Sequence, residues 1–155
     1  MYALLIRIAA DYAMIPIVLI GAYALIFKIP KGHRLKSYST ILVAGLTAYL
    51  FAKLVGSVFQ PDSLRPFELL GKSAGASYLN NAGFPSDHIL FASVLTCAVW
   101  FETKQKTITW IMIILTIIVG VGRVLALVHT PIDVIGGVIF ALFGSLWYLN
   151  CKDKK

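Results

Sequence analysis

The stretch T-I-T-W-I-M-I-I-L-T-I-I-V-G-V-G-R-V-L-A-L-V, Thr107–Val128, carries a single charge, Arg123. A helix needs about 20 mostly apolar residues to cross the hydrocarbon core of a bilayer, with a range of roughly 17–25. This run therefore predicts a transmembrane helix. Four further segments approach the same length: Ala9–Phe27, Tyr38–Phe59, Ser86–Phe101 and Pro131–Asn150. Composition agrees, since 59% of the 155 residues are hydrophobic and only 14% charged, well below the charged fraction of about 25% in soluble domains. The expected fold is all-α, a polytopic transmembrane helical bundle of about five spans, forming one integral-membrane domain over residues 1–155. The third segment is short, as befits a helix that begins inside the protein. The first contains A-Y-A at Ala22–Ala24, which resembles a signal-peptide cleavage site. It lacks a basic start, however, and K-I-P-K-G-H-R at Lys28–Arg34 reads as a stop-transfer flank.

The net charge of +7 calls for a test of nucleic-acid binding, and the positions of the charges argue against it. Five crossings place the loop Lys28–Lys36, the loop Glu102–Lys106 and the tail Lys152–Lys155 on one side. Together these hold Lys28, Lys31, Arg34, Lys36, Lys104, Lys106, Lys152, Lys154 and Lys155, in the short connections where the positive-inside rule is strongest. That face, with the C-terminus, is expected to be cytoplasmic, and its charges need no nucleic acid to explain them. Cys97 and Cys151 are too few and too far apart for a disulfide framework. The other basic residues, Arg7, Lys53, Arg65, Lys72 and Arg123, fall toward the outer half, with most of the acids and with His88 and His129. The longest connection, from Gln60 to Pro85, lies on that side, and loops of such length in a compact chain are commonly functional. The chemistry is expected on the outer face.

Three polar clusters lie there: L-R-P-F at Leu64–Phe67, F-P-S-D-H at Phe84–His88, and G-R-V-L-A-L-V-H-T-P-I-D at Gly122–Asp133. A charge at the centre of a span costs about 2.5–3.5 kcal/mol on insertion scales, so Arg123 must either snorkel or face the interior and meet an anion. Thr130 suits a helix cap and Pro131 the first helical position, which puts Asp133 in the first turn. Asp133 can then serve as a cap, or it can bond one ring nitrogen of His129 and leave the other free to attack, as the aspartate does in serine-protease triads. Ser86 reads as the N-cap of the third span. Helix N-termini offer free N–H groups and a positive dipole end, which favour phosphate. Two such starts, with His88, His129, Arg65 and Arg123 around them, make a site for a tetrahedral anion.

In motif terms, from about Lys53 to Gly137, the chain resembles the type 2 phosphatidic acid phosphatase superfamily. The resemblance rests on Arg65-Pro66, on Pro85-Ser86-Asp87-His88, and on Arg123 with His129 and Asp133 at the family spacing. P-S-D-H in place of P-S-G-H is similar to the bacterial undecaprenyl-diphosphate phosphatase branch. The resemblance implies a metal-independent phosphatase without cofactor, working through a phosphohistidine. His129 would be the nucleophile and Asp133 its orienting partner. His88 would act as acid and then base, and Arg65, Arg123 and Ser86 would hold phosphoryl oxygens. Two departures stand out. The family lysine seven positions before the R-P arginine is replaced by Val58, leaving Lys53 and Lys72 as candidates for its role, and Gly122 stands where the family usually has serine.

The implied substrate is a membrane lipid phosphate, foremost undecaprenyl diphosphate presented at the outer face of a bacterial plasma membrane. Phosphatidic acid and phosphatidylglycerophosphate are the alternatives within the class. A non-catalytic lipid-binding or transport protein is the alternative outside it. An intramembrane relay would need polar residues deep in several spans, whereas here they gather near one face.

Overall fold

The computed structural model describes residues 1–61, 64–81 and 83–150. Cys151 and the C-terminal lysines lie outside these residues. So do Asp62 and Ser63 of the long connection. Among the described residues all regular structure is helical. The first span, Tyr2–Phe27, consists of α1 (Tyr2–Arg7), a π-helical turn at Ile8–Tyr12 and α2 (Met14–Phe27). A 3-10 turn at Lys31–His33 leads into α3 (Arg34–Val58). The short α4 (Pro66–Leu69) lies in the long connection, followed by α5 (Asp87–Thr103), α6 (Lys106–Leu125) and α7 (Pro131–Asn150).

Among the described residues, four helices are long and apolar enough to cross a membrane: Tyr2–Phe27, Lys31–Val58, Lys106–Leu125 and Pro131–Asn150. The expected third span is α5, with 17 residues. It packs against α2, α3, α6 and α7 and buries Ile89, Ala92, Ala98 and Val99, so it is the helix around which the others are arranged. Three expected boundaries move by three residues or more. The first span begins at Tyr2 rather than Ala9, the second helix at Arg34 rather than Tyr38, and α6 stops at Leu125 rather than Val128. The last change has a local cause. Leu127 adopts φ +60°, a left-handed conformation that costs a branched residue about 1–2 kcal/mol and that no α-helix can continue.

The bundle places its large apolar side chains outward. Leu42, Leu50, Leu54, Ile114, Ile117, Ile135 and Ile139 are all exposed, as lipid contact requires. Between helices there is no hydrophobic drive in lipid, so close packing of small residues holds them together. On α3, Ala44, Ala48, Ala52 and Gly56 recur every four residues along one buried stripe; Ala44 and Ala48 lie against Gly144 of α7, and Gly56 against Phe84 and Pro85. A Cβ at Gly137 of α7 would lie 2.9 Å from the Leu90 nitrogen and 3.0 Å from the Ser86 oxygen of α5. The absence of that carbon lets α7 sit directly on the start of α5. One consequence is a backbone hydrogen bond from Ser86 N–H to the Asp133 carbonyl at 3.0 Å.

The same end of the bundle collects the start of α5, the end of α6 and the start of α7. The long connection closes over it through backbone bonds from Phe67 to Leu127 and from Gly75 to Ala126. Lys104 and Lys106 lie at the opposite ends of α5 and α6.

Candidate active site

The start of α7 is held by reciprocal bonds. Thr130 N–H donates to Asp133 Oδ2 at 2.8 Å, and Asp133 N–H donates to Thr130 Oγ1 at 3.3 Å. The same Oδ2 faces His129 Nδ1 at 3.3 Å. Both readings of Asp133 therefore hold together, since one carboxylate caps the helix and orients the imidazole. With Nδ1–H turned to the carboxylate, Nε2 keeps its lone pair. The turn that aims His129 is the one carrying Leu127 at positive φ, so backbone strain is stored next to the ring. His129 and Asp133 are both buried. Burial lowers the His129 pKa below its ordinary value, the charges of Arg123 and Arg65 lower it further, and the Asp133 contact opposes them. The ring is neutral at neutral pH.

The start of α5 is built differently. Ser86 is the N-cap by position, with extended backbone (φ −66°, ψ 112°), but its side chain makes no capping bond. Its Oγ is buried without a partner, and a buried unsatisfied hydroxyl costs about 1–3 kcal/mol. The first intrahelical bond runs from Leu90 N–H to the Ser86 carbonyl, which leaves the N–H groups of Asp87, His88 and Ile89 without an intrahelical acceptor. Ser86 is thus the N-cap of α5 as expected, by position and not through its hydroxyl, which has no hydrogen-bond partner in the protein.

Asp87 binds Lys53 of α3, with Nζ to Oδ1 at 2.8 Å and to Oδ2 at 3.0 Å. Asp87 thus has a partner, and Lys53 is engaged by it. Lys72 lies exposed in the connection. His88, in the first turn of α5 and half-buried, feels the charges of Arg123, Asp11, His129 and Asp87.

The two arginines also differ. Arg65 is buried, and its guanidinium is clasped by backbone carbonyls: Nη1 donates to Val128 O at 2.6 Å, and Nη2 to Leu79 O at 3.0 Å and Asn81 O at 3.2 Å. Its own N–H bonds Glu68 Oε2 at 2.6 Å, fixing the entry to α4, and its guanidinium lies over the Tyr78 ring. Arg65 fastens the connection onto the α6–α7 turn. Arg123 is 1% exposed. Its Nη1 donates to Asp11 Oδ1 at 2.9 Å and to the Ser77 carbonyl at 2.7 Å, while its Nε is buried without a partner.

Asp11 is the residue that sequence reasoning missed. Its only signal was an acid in the first apolar run, and its partner is far away in the chain. A cavity of about 260 Å³ opens beside the site, lined by Arg65, Tyr78, Asn81, Gly83, Thr130 and Asp133 among others. Among the described residues, no group of three or more His, Cys, Asp or Glu is arranged to hold a metal ion.

Residues 34–155 match the family described as the PAP2 superfamily. Among curated proteins, the chain is similar to undecaprenyl-diphosphatase BcrC of Bacillus subtilis (strain 168), with 26% identity over 144 residues, 92% of this chain and 71% of that protein. It is also similar to the bacitracin transport permease protein BcrC of Bacillus licheniformis, with 28% identity over 115 residues, 73% of this chain and 54% of that protein. The chain thus spans about half the length of the second relative. No solved structure matches the chain significantly.

Proposed function

The chain belongs to the PAP2 superfamily of phosphatases, and on that premise we propose that it hydrolyses undecaprenyl diphosphate through a phosphohistidine on His129. The observation that carries this reading is the pairing of the two helix starts. One holds an imidazole with Nδ1 on a carboxylate; the other offers an unpartnered buried hydroxyl and free helix N–H groups, with the Nε of Arg123 unpartnered nearby. These are the parts that phosphoryl transfer needs, namely a positioned nucleophile and donors for the equatorial oxygens.

His129 Nε2 attacks the terminal phosphorus, and the bond from phosphorus to the bridging oxygen breaks. His88 delivers a proton to the leaving lipid phosphate. In the second step His88 removes a proton from water, the resulting oxygen attacks phosphorus, and the P–N bond breaks to release inorganic phosphate and restore His129. Arg123, Ser86 and the α5 N-terminus bind the phosphoryl oxygens, and Arg65 holds the frame. The substrate preference is supported by the Bacillus subtilis relative and by Asp87 within Pro85–His88. The site is assigned to the outer face because Lys104 and Lys106 lie at the other end of α5 and α6.

The test is phosphate release from undecaprenyl diphosphate and from phosphatidic acid, each in detergent with excess chelator. The expected result is chelator-resistant activity with preference for the diphosphate. Preference for phosphatidic acid would overturn the substrate assignment, and loss of activity with chelator would overturn the metal-free route.

A further inference from the structure

The family match begins at residue 34, yet the carboxylate that holds Arg123 lies before it. Asp11 sits in the π-helical turn Ile8–Tyr12, closed by the bond from Ala13 N–H to the Ile8 carbonyl at 2.9 Å. Such turns insert one extra residue into a helix and re-aim the side chains around it. Here the turn directs Asp11 inward, with its side chain 15% exposed, in a span whose neighbours Leu4, Leu5, Ile15 and Leu19 face outward.

The contact is a closed ring of three residues. Asp11 Oδ1 accepts from Arg123 Nη1 at 2.9 Å, Asp11 Oδ2 accepts from Ser77 N–H at 3.0 Å, and the Ser77 carbonyl accepts from the same Nη1 at 2.7 Å. Both hydrogens of Nη1 are therefore used, and they fix the plane of the guanidinium. The edge carrying Nε is left over, buried and unpartnered. A guanidinium binds phosphate best through two parallel N–H groups on one edge, and the ring leaves such an edge free.

Gly122, next to Arg123, makes the approach possible. A Cβ there would lie 2.6 Å from the Ala10 nitrogen, 2.7 Å from the Ala9 carbonyl carbon and 2.9 Å from the Ala10 Cα. These are backbone atoms of the π turn, and they cannot give way without displacing the turn itself. The departure at Gly122 and the presence of Asp11 are thus two halves of one contact.

We propose that Asp11 is a positioning residue that, with Ser77, fixes the Arg123 guanidinium so that its Nε edge faces the phosphoryl group, making the first helix part of the phosphate site. This inference rests on the assignment of Arg123 to phosphate binding. Orientation and simple charge compensation predict opposite signs. If Asp11 only neutralised Arg123, removing its charge would tighten anion binding. If it orients the fork, removing it weakens binding.

The probe is inorganic phosphate, titrated calorimetrically into the full chain in detergent. The proteins are the wild type, Asp11→Asn, Arg123→Gln and the double variant, with KM for undecaprenyl diphosphate measured alongside. Asp11→Asn is expected to weaken phosphate roughly 10-fold, as loss of a charge-assisted hydrogen bond does, and to raise KM in parallel. A smaller folded fraction would change neither constant. In the Arg123→Gln background the same change is expected to matter by no more than about twofold. Gly122→Ala, which pushes the π turn away, gives the same pattern and serves if Asp11→Asn does not fold. Unchanged or tighter binding in Asp11→Asn, or equal weakening in both backgrounds, overturns the inference alone. A wild type that does not bind phosphate overturns the phosphate-site reading and this inference with it.

Discussion

The starts of α5 and α7 are built from similar residues and do opposite things. Each has a hydroxyl residue at the N-cap, an acid in the first turn and a histidine close by. At α7 the groups satisfy one another: Thr130 and Asp133 exchange bonds, and the carboxylate also holds His129. At α5 they do not. The Ser86 hydroxyl is buried and unpartnered, and Asp87 leaves for Lys53. A closed helix start fixes a side chain in place, while an open one keeps its donors for something that arrives later. In the proposed mechanism the closed start holds the nucleophile and the open one supplies donors to the phosphoryl group.

Substitutions can break this contrast, beginning with the closed side. His129→Ala removes the proposed nucleophile and is expected to lower kcat/KM by about 10⁴-fold or more, measured as phosphate release. Asp133→Asn keeps an oxygen for the cap but loses the charge that orients the ring, and a fall of roughly 10²- to 10⁴-fold is expected. The pH profile sharpens the point. Burial and two guanidiniums depress the His129 pKa, so the imidazole stays neutral below its ordinary value of about 6.5. The acid limb of kcat/KM is expected below that value. It should move further toward acid in Asp133→Asn, because the carboxylate is the contact that raises the pKa.

The comparison is sharpest in the two hydroxyls. Ser86→Ala is expected to cost roughly 10- to 100-fold in kcat/KM while leaving thermal stability unchanged or raised, since it removes an unsatisfied buried group. Thr130→Ala removes a working cap and should destabilise by about 1 kcal/mol. Equal stability losses in the two variants would erase the distinction between open and closed starts.

The smallest effect is expected from Lys53→Met. The Lys53–Asp87 pair is about a third exposed on each side, and such pairs contribute up to about 1 kcal/mol, so activity should change severalfold at most. A loss as large as that in Ser86→Ala would instead put Lys53 on the phosphate.

What the sequence disclosed follows from the range of the interactions involved. The four long spans were visible because length and hydropathy are local properties. The short α5 could be read as a helix starting inside the protein, and Thr130-Pro131 marked the start of α7 to the residue. His129 and Asp133 were visible because four residues in a helix turn bring them together. What escaped was tertiary. Asp11 carries no local pattern that separates an inward acid from an outward one, and the π turn that aims it has no sequence signature. Gly122 looked like a lost hydroxyl until the backbone of Ala9 and Ala10 was seen lying against it. The hydroxyl of Ser86 fitted a cap by residue type, and only the geometry showed it unused.

The central claim is that His129 carries the phosphoryl group. Its most direct test is to turn over undecaprenyl diphosphate with His88→Ala, in which hydrolysis of the intermediate is slowed, then quench at neutral to alkaline pH and map the adduct by peptide mass spectrometry. The account predicts a phosphoryl group on the peptide containing His129, absent from the His88→Ala/His129→Ala double variant. Turnover without that adduct, or an adduct on any other residue, would contradict it.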